Sequence, residues 1–170
     1  MQRTIQTSIS KGHRKSIHLG GDSYSNSLNI SEKTVCKSCN SFYLNKVWHI
    51  DAERLKKLLK DPDVSHAKCP ACMKIKDNYP QGYVSLKGEF FSSHRDEIMR
   101  IVSNEEKRAM GFNPMERIIE IKNEDVSARI TTTTEKLAQR IGRAINNAYN
   151  GSVKYSWSPG NKIARVTWER

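Results

Sequence analysis

Apolar positions change period along the chain, and the changes divide it into three stretches. Residues 1–33 are rich in Ser, Thr, Asn, Gly and basic groups and hold few aliphatics, at no sustained period of 2 or 3.6. They read as a flexible basic arm. In residues 34–78, Phe42 to Trp48 place aromatic and β-branched residues around Asn45-Lys46, which predicts a short hairpin. A helix should follow, with Asp51 as N-cap, Leu55, Leu58 and Leu59 on one face, and an end before Pro62.

Residues 79–170 repeat strand and helix periods. Gly82 to Phe91 reads as a strand with an irregularity at Gly88; Ser93 should then cap a helix buried through Ile98, Ile101 and Val102, ending near Gly111. Two strands are expected at Arg117–Lys122 and Val126–Thr132, the second burying Val126, Ala128 and Ile130. The Thr131 to Thr134 run should cap a helix whose stripe is Leu137, Ile141, Ala144, Ile145 and Ala148, with Gly151 as its stop. A final hairpin alternates Val153, Tyr155, Trp157 and then Ala164, Val166, Trp168 about Ser158-Pro159-Gly160-Asn161. The order β-α-β-β-α-β-β predicts an α+β fold. Its first six elements match a ferredoxin-like split βαβ, with helices on one face of an antiparallel sheet.

Cysteine spacing adds a metal. The only four cysteines are Cys36, Cys39, Cys69 and Cys72, two C-x2-C pairs. Four thiolates close a tetrahedral shell with no position left for water, the arrangement of structural zinc and not of a hydrolytic centre. Disulfides would need an oxidising compartment, and nothing in the sequence resembles a secretory signal. A redox C-x-x-C would sit at a helix start after a strand, and one pair would suffice. An iron–sulfur cluster also takes four thiolates, so two metal readings stay open, with zinc preferred. Residues 34–78 are thus expected to form a zinc-ribbon-like module. His49 and His66 are expected at the surface or behind the ligands.

Charge then narrows the partner. The chain has 170 residues, 36% of them hydrophobic, a formal net charge of +11, pI 9.6 and mean hydropathy −0.70. No apolar run is long enough to span a bilayer, so a soluble, cytoplasmic protein is expected. Net charge is +3 over residues 1–35, +4 over 36–80, −2 over 81–125 and +6 over 126–170. This segregation points to a polyanion, nucleic acid first. The candidate contacts are Arg14 and Lys15 in the arm, Lys37, Lys68, Lys74 and Lys76 around the cysteines, and Arg129, Arg140, Arg143, Lys154 and Arg165 beyond. Arg140 and Arg143 lie off the apolar stripe of their helix and are expected to be free. Tyr155, Trp157 and Trp168 are read as core first and stacking platforms second. Glu105, Glu106, Glu116 and Glu120 read as solvated faces, and His94 as an exposed residue, not a catalytic base. No glycine-rich phosphate loop, H-E-x-x-H helix or nucleophile elbow is present, so no enzyme is expected. The first 21 residues lack acids, as transit peptides do, but show no amphipathic helix, and a binding arm is preferred.

Several stretches together carry a resemblance: Cys69-Pro70-Ala71-Cys72, Tyr79-Pro80-Gln81-Gly82-Tyr83-Val84, Ser93 to Ile98, Asn104-Glu105-Glu106, Thr131 to Thr133 and Val166-Thr167-Trp168. Over residues 34–170 the chain resembles the N-terminal part of the Nmd-three family, adaptors that bind and export the large ribosomal subunit. More closely, it is similar to small uncharacterised bacterial zinc-ribbon proteins. The resemblance implies a zinc module plus an α+β domain that docks on ribosomal RNA or protein, possibilities including assembly, quality control and dormancy. The resemblance does not extend to the β-barrel and leucine-rich signal of the export adaptors, so nuclear export is not carried over. The expected function is a non-enzymatic ribosome-associated factor, and the alternative is a protein-interaction module for an acidic partner. A metal-dependent hydrolase would need a second, hard-cation site that these carboxylates do not assemble.

Overall fold

The structure, a computed structural model, describes Tyr24, residues 30–159 and residues 162–170. It is a mixed α+β protein with two mixed sheets and, among the described residues, five helices. None of those helices is long and apolar enough to cross a membrane.

The first sheet is small. Its strands β1 (Thr34–Cys36), β2 (Phe42–Leu44), β3 (Val47–His49) and β4 (Ser65–Ala67) are ordered β3-β2-β1-β4, with β1 and β4 parallel. The expected hairpin turns at Asn45 and Lys46, both in the left-handed region (φ 53° and 63°). Their amides donate to the Glu32 carboxylate at 2.7 and 3.1 Å, which anchors the end of the segment expected to be an arm. Helix α1 (Ala52–Leu58) starts on Asp51, whose side chain accepts from Arg54 N at 2.9 Å. Leu59 falls outside the helix and is exposed, and α1 buries no residue fully. Helix α2 (Pro70–Lys76) follows β4.

The second sheet holds β5 (Gly82–Lys87), β6 (Ile118–Asn123), β7 (Ser127–Thr132), β8 (Ser152–Trp157) and β9 (Ala164–Glu169), in the order β6-β7-β5-β9-β8. Helices α4 (Arg95–Phe112) and α5 (Glu135–Tyr149) supply the other half of its core. Val84, Leu86, Ala128, Ile130, Val166 and Trp168 meet Ile98, Val102, Leu137, Ala138, Ile141 and Ile145. Thr134 caps α5, accepting from Leu137 N, as expected of the threonine run.

Four expectations are corrected. The sheet is mixed, because β9 lies parallel to β5 and β8 takes the edge. Residues Ala164, Val166 and Trp168 of β9 are fully buried, whereas Val153, Tyr155 and Trp157 of β8 are not, so the more apolar strand occupies the interior position. Second, β5 ends at Lys87: Gly88 adopts φ 105°, and Glu89–Ser93 forms the short helix α3 that drives Phe91 into the core. Third, Ser93 does not cap α4. Its hydroxyl donates to Glu89 O at 3.0 Å, and the junction residue is His94, half-buried and stacked on Phe90 at 3.9 Å. Fourth, Val126 precedes β7 and is exposed.

Gly82 stands tightly against the start of α5 and the end of β7. A Cβ there would stand 2.2 Å from Thr132 Oγ1, 2.6 Å from Ala138 Cβ and 2.8 Å from Thr134 O. Gly82→Ala should therefore destabilise the protein by roughly 1–3 kcal/mol, read as a lower urea midpoint. In Gly111→Ala, where nothing lies within 4 Å, the midpoint should rise slightly.

Candidate metal centre

The two C-x2-C pairs reach one point by different local routes. Cys36 ends β1, and its turn closes through Asn40 N to Cys36 O (3.1 Å) and Cys36 N to Ser41 O (2.7 Å), with Asn40 at φ 61°. Cys69 is the N-cap of α2, with Pro70 in the first turn, and Cys72 N donates to its sulfur at 3.4 Å. The second pair thus has the strand-then-helix setting of a redox pair. The company it keeps is different.

All four Sγ atoms lie within 4.8 Å of one another, and Cys39 Sγ and Cys69 Sγ are 3.7 Å apart. Metal–sulfur bonds of about 2.3 Å in a tetrahedron imply sulfur–sulfur edges of about 3.8 Å. The four cysteines are free thiols and could hold one metal ion. Amides already point at the sulfurs: Ser38 N and Cys69 N approach Cys36 Sγ at 3.5 and 3.3 Å. The thiols ionise unequally when no cation shares them. Cys39 is drawn down to about 4, first by its hydrogen bond with Cys69. Cys69 is pushed up by the same bond and by burial, and Cys72 is pushed up to about 12 by burial and the charge on Cys39. A bound dication would favour the ionised form of all four, since it stabilises every thiolate it ligates. His49 instead bonds Leu44 O through Nε2 at 3.1 Å, and His66 is exposed, so neither belongs to the cluster.

The basic candidates divide into groups. Arg14 and Lys15 lie outside the described residues. Lys37, Lys68 and Lys76 are exposed near the cysteines. Lys74 is corrected: it is 2% exposed, and its amine donates to Gln81 Oε1 at 2.9 Å and Thr133 O at 3.1 Å. Its place on the buried side of α2, two residues after Cys72, turns it into a tie to the second sheet and removes it from phosphate contact. Thr133 extends that tie. Its hydroxyl donates to Met115 O at 2.6 Å, and Met115 packs on the cluster of Cys36, Trp48, Cys69 and Ala71.

Arg140 and Arg143 share a cleft between α4 and α5 with Arg108 and Glu105. Arg140 is not free as expected: its Nε is 3.4 Å from Oε2 of Glu116. Glu116 is only 4% exposed, and Glu106 accepts from Ile118 N at 2.7 Å, so neither carboxylate is the solvated group expected. Arg129, Lys154 and Arg165 are exposed on the face of the second sheet turned away from α4 and α5. Sequence reasoning missed Lys122 and Tyr83, which join them there, although the alternation of Tyr83 with buried Val84 and Leu86 carries that signal. Trp168 is core and donates to Asn150 O at 2.8 Å; Trp157 is 57% exposed but sits on the helix side of edge strand β8.

Comparison with protein-family models, with curated proteins and with solved structures finds no match for this chain.

Replacing Lys74 by Met strands two buried acceptors and should lower stability by about 1.5–3 kcal/mol in urea unfolding. The exposed Lys76→Met should leave the midpoint within about 0.5 kcal/mol of the native value.

Proposed function

We propose that the chain is a non-enzymatic, zinc-folded factor of the cytoplasm that docks on structured ribosomal RNA through basic residues. Zinc is favoured over an iron–sulfur cluster by the closeness of the sulfurs, all within 4.8 Å of one another. A cluster interposes several irons and inorganic sulfides, so its protein thiolates stand farther apart than those around a single ion. The zinc would be held by Cys36, Cys39, Cys69 and Cys72 and would supply folding energy alone.

The observation that carries the RNA reading is the exposure of Arg129, Lys154 and Arg165 on the sheet face turned away from α4 and α5, in a chain of net charge +11. Phosphate is the ligand that best matches a broad cationic surface lacking a deep cavity. The second sheet is read as a ferredoxin-like relative: β7 lies between β5 and β6 as in a split βαβ, and the closing hairpin is altered. The resemblance to the Nmd-three family directs the choice of RNA toward the ribosome, with a role in assembly, quality control or dormancy.

A second reading, docking of an acidic protein, is favoured by the groove of Phe42, Leu44 and Leu58 edged by Arg54 and Lys57 in the metal module. An acidic segment with aliphatic side chains would suit it. Such binding would survive nuclease treatment.

Sucrose-gradient sedimentation of cell lysate distinguishes these. The protein should travel with ribosomal particles at low salt and be released at high salt, because each phosphate contact frees a counterion. Retention at the top of the gradient even at low salt would count against the ribosomal reading.

A further inference from the structure

Among the described residues, the second sheet carries helices on one face only, and its other face is crossed by a register-aligned row of side chains. Lys122 on β6 opposes Arg129 on β7, which opposes Ser85 on β5, then Thr167 on β9 and Lys154 on β8. Strands about 4.8 Å apart make this row about 19 Å long, with cations toward both ends and hydroxyls between. Beside its middle stands Tyr83, 37% exposed on the central strand, with the Arg165 guanidinium 5.4 Å from its ring centroid. A shallow bowl of about 370 Å³ lies over Tyr83, Ser85, Lys122, Arg129, Arg165 and Thr167, and Lys154 stands one strand beyond it, opposite Thr167.

Each component matches a part of an unpaired nucleotide. An exposed ring can stack a base of any sequence, an arginine beside it adds cation–π and phosphate contacts, and hydroxyls can meet a ribose 2′-OH. A duplex keeps its bases stacked inside and offers nothing to the Tyr83 ring. Opposing charges are also present: Glu124 pairs with Arg129, Glu120 lies 3.4 Å from Lys122, and Glu169 stands on β9. These pairs are exposed and hold weakly, so a phosphate can replace the carboxylate at either cation.

We infer that this bowl seats an unpaired segment of RNA, with one base stacked on Tyr83 and the flanking phosphates met by Arg129, Arg165 and Lys154. The inference rests on the RNA-binding reading above and deepens it by naming the strand state and the face. Within a folded ribosomal RNA the segment would be a loop or bulge.

Fluorescence anisotropy of the full, metal-loaded chain tests it, with a labelled 12-nucleotide single-stranded RNA, the same sequence as a duplex, and uridine monophosphate and polyglutamate as competitors. The single strand should bind more tightly than the duplex or the mononucleotide. Tyr83→Leu should weaken it about tenfold, Tyr83→Phe should stay within about twofold, and Lys154→Glu should reduce the salt slope by about 1. Lys136→Glu, on α5 behind the sheet, should leave Tyr83-dependent binding intact. Should Tyr83→Leu lower the urea midpoint, Tyr83→Phe combined with Lys122→Glu and Lys154→Glu keeps the face under test; native-like affinity in that protein would overturn the site. Native-like affinity in a folded Tyr83→Leu protein, together with loss in Arg140→Glu/Arg143→Glu, would overturn the site and leave the RNA reading standing. Failure to bind any RNA would overturn both. Equal binding of duplex and single strand, with displacement by polyglutamate, would assign the face to an acidic protein instead.

Discussion

The convergence of four sulfurs is the constraint on which the first sheet depends. Its strands are three residues long, and its buried apolar side chains are few: Cys36, Trp48, Cys69 and Ala71 in one cluster, with Val35 and Phe42. A core of that size cannot offset the chain entropy of some 45 residues, and small modules of this kind are stable when a metal closes them. The second sheet faces no such shortage. Two long helices bury Leu86, Phe91, Ile98, Ile130, Ile141 and Trp168 against it, which is enough for an ordinary domain core.

The two sheets meet through a few specific groups. Cys72 and Lys74 are two residues apart on α2, and Lys74 reaches Gln81 and Thr133 at the ends of β5 and β7. The orientation of α2 is set by its sulfurs, so the position of Lys74 against the second sheet is set by them also. Thr133 in turn bonds Met115, which packs on the cysteine cluster. On the proposed reading, the centre's contribution to RNA binding is indirect: it holds Lys37, Lys68 and Lys76 in place, while the open face of the second sheet carries its own contacts.

Much of the local structure was legible because its signals are local. Asp51 and Thr134 are caps that bond the next turn of their own helices, and Asn45-Lys46 is a turn whose left-handed backbone needs only its own residues and Glu32. The cysteine pairs announced a shared site by spacing alone. What was not legible depends on distant partners. Lys74 reads as one more lysine near a knuckle until β7 is placed beside it, and Glu116 reads as a surface acid until Arg140 covers it. The parallel pairing of β9 with β5 is decided by competition between two strands for one interior position, in which the fully buried set of Ala164, Val166 and Trp168 prevails. Tyr83 lay in plain view in an alternating strand, yet its side of the sheet matters only because no helix among the described residues packs on that side.

The central claim is that the sulfur centre folds the first sheet and fixes α2, while the second sheet stands on its own core. Amide hydrogen exchange before and after metal removal by a chelator under reducing conditions tests it most directly. The account predicts that amides of β1 to β4 and of α2 lose protection, that Gln81 and Thr133 exchange faster, and that Val84, Ile130 and Val166 keep theirs. Unchanged protection in β1 to β4 once the metal has gone would contradict it.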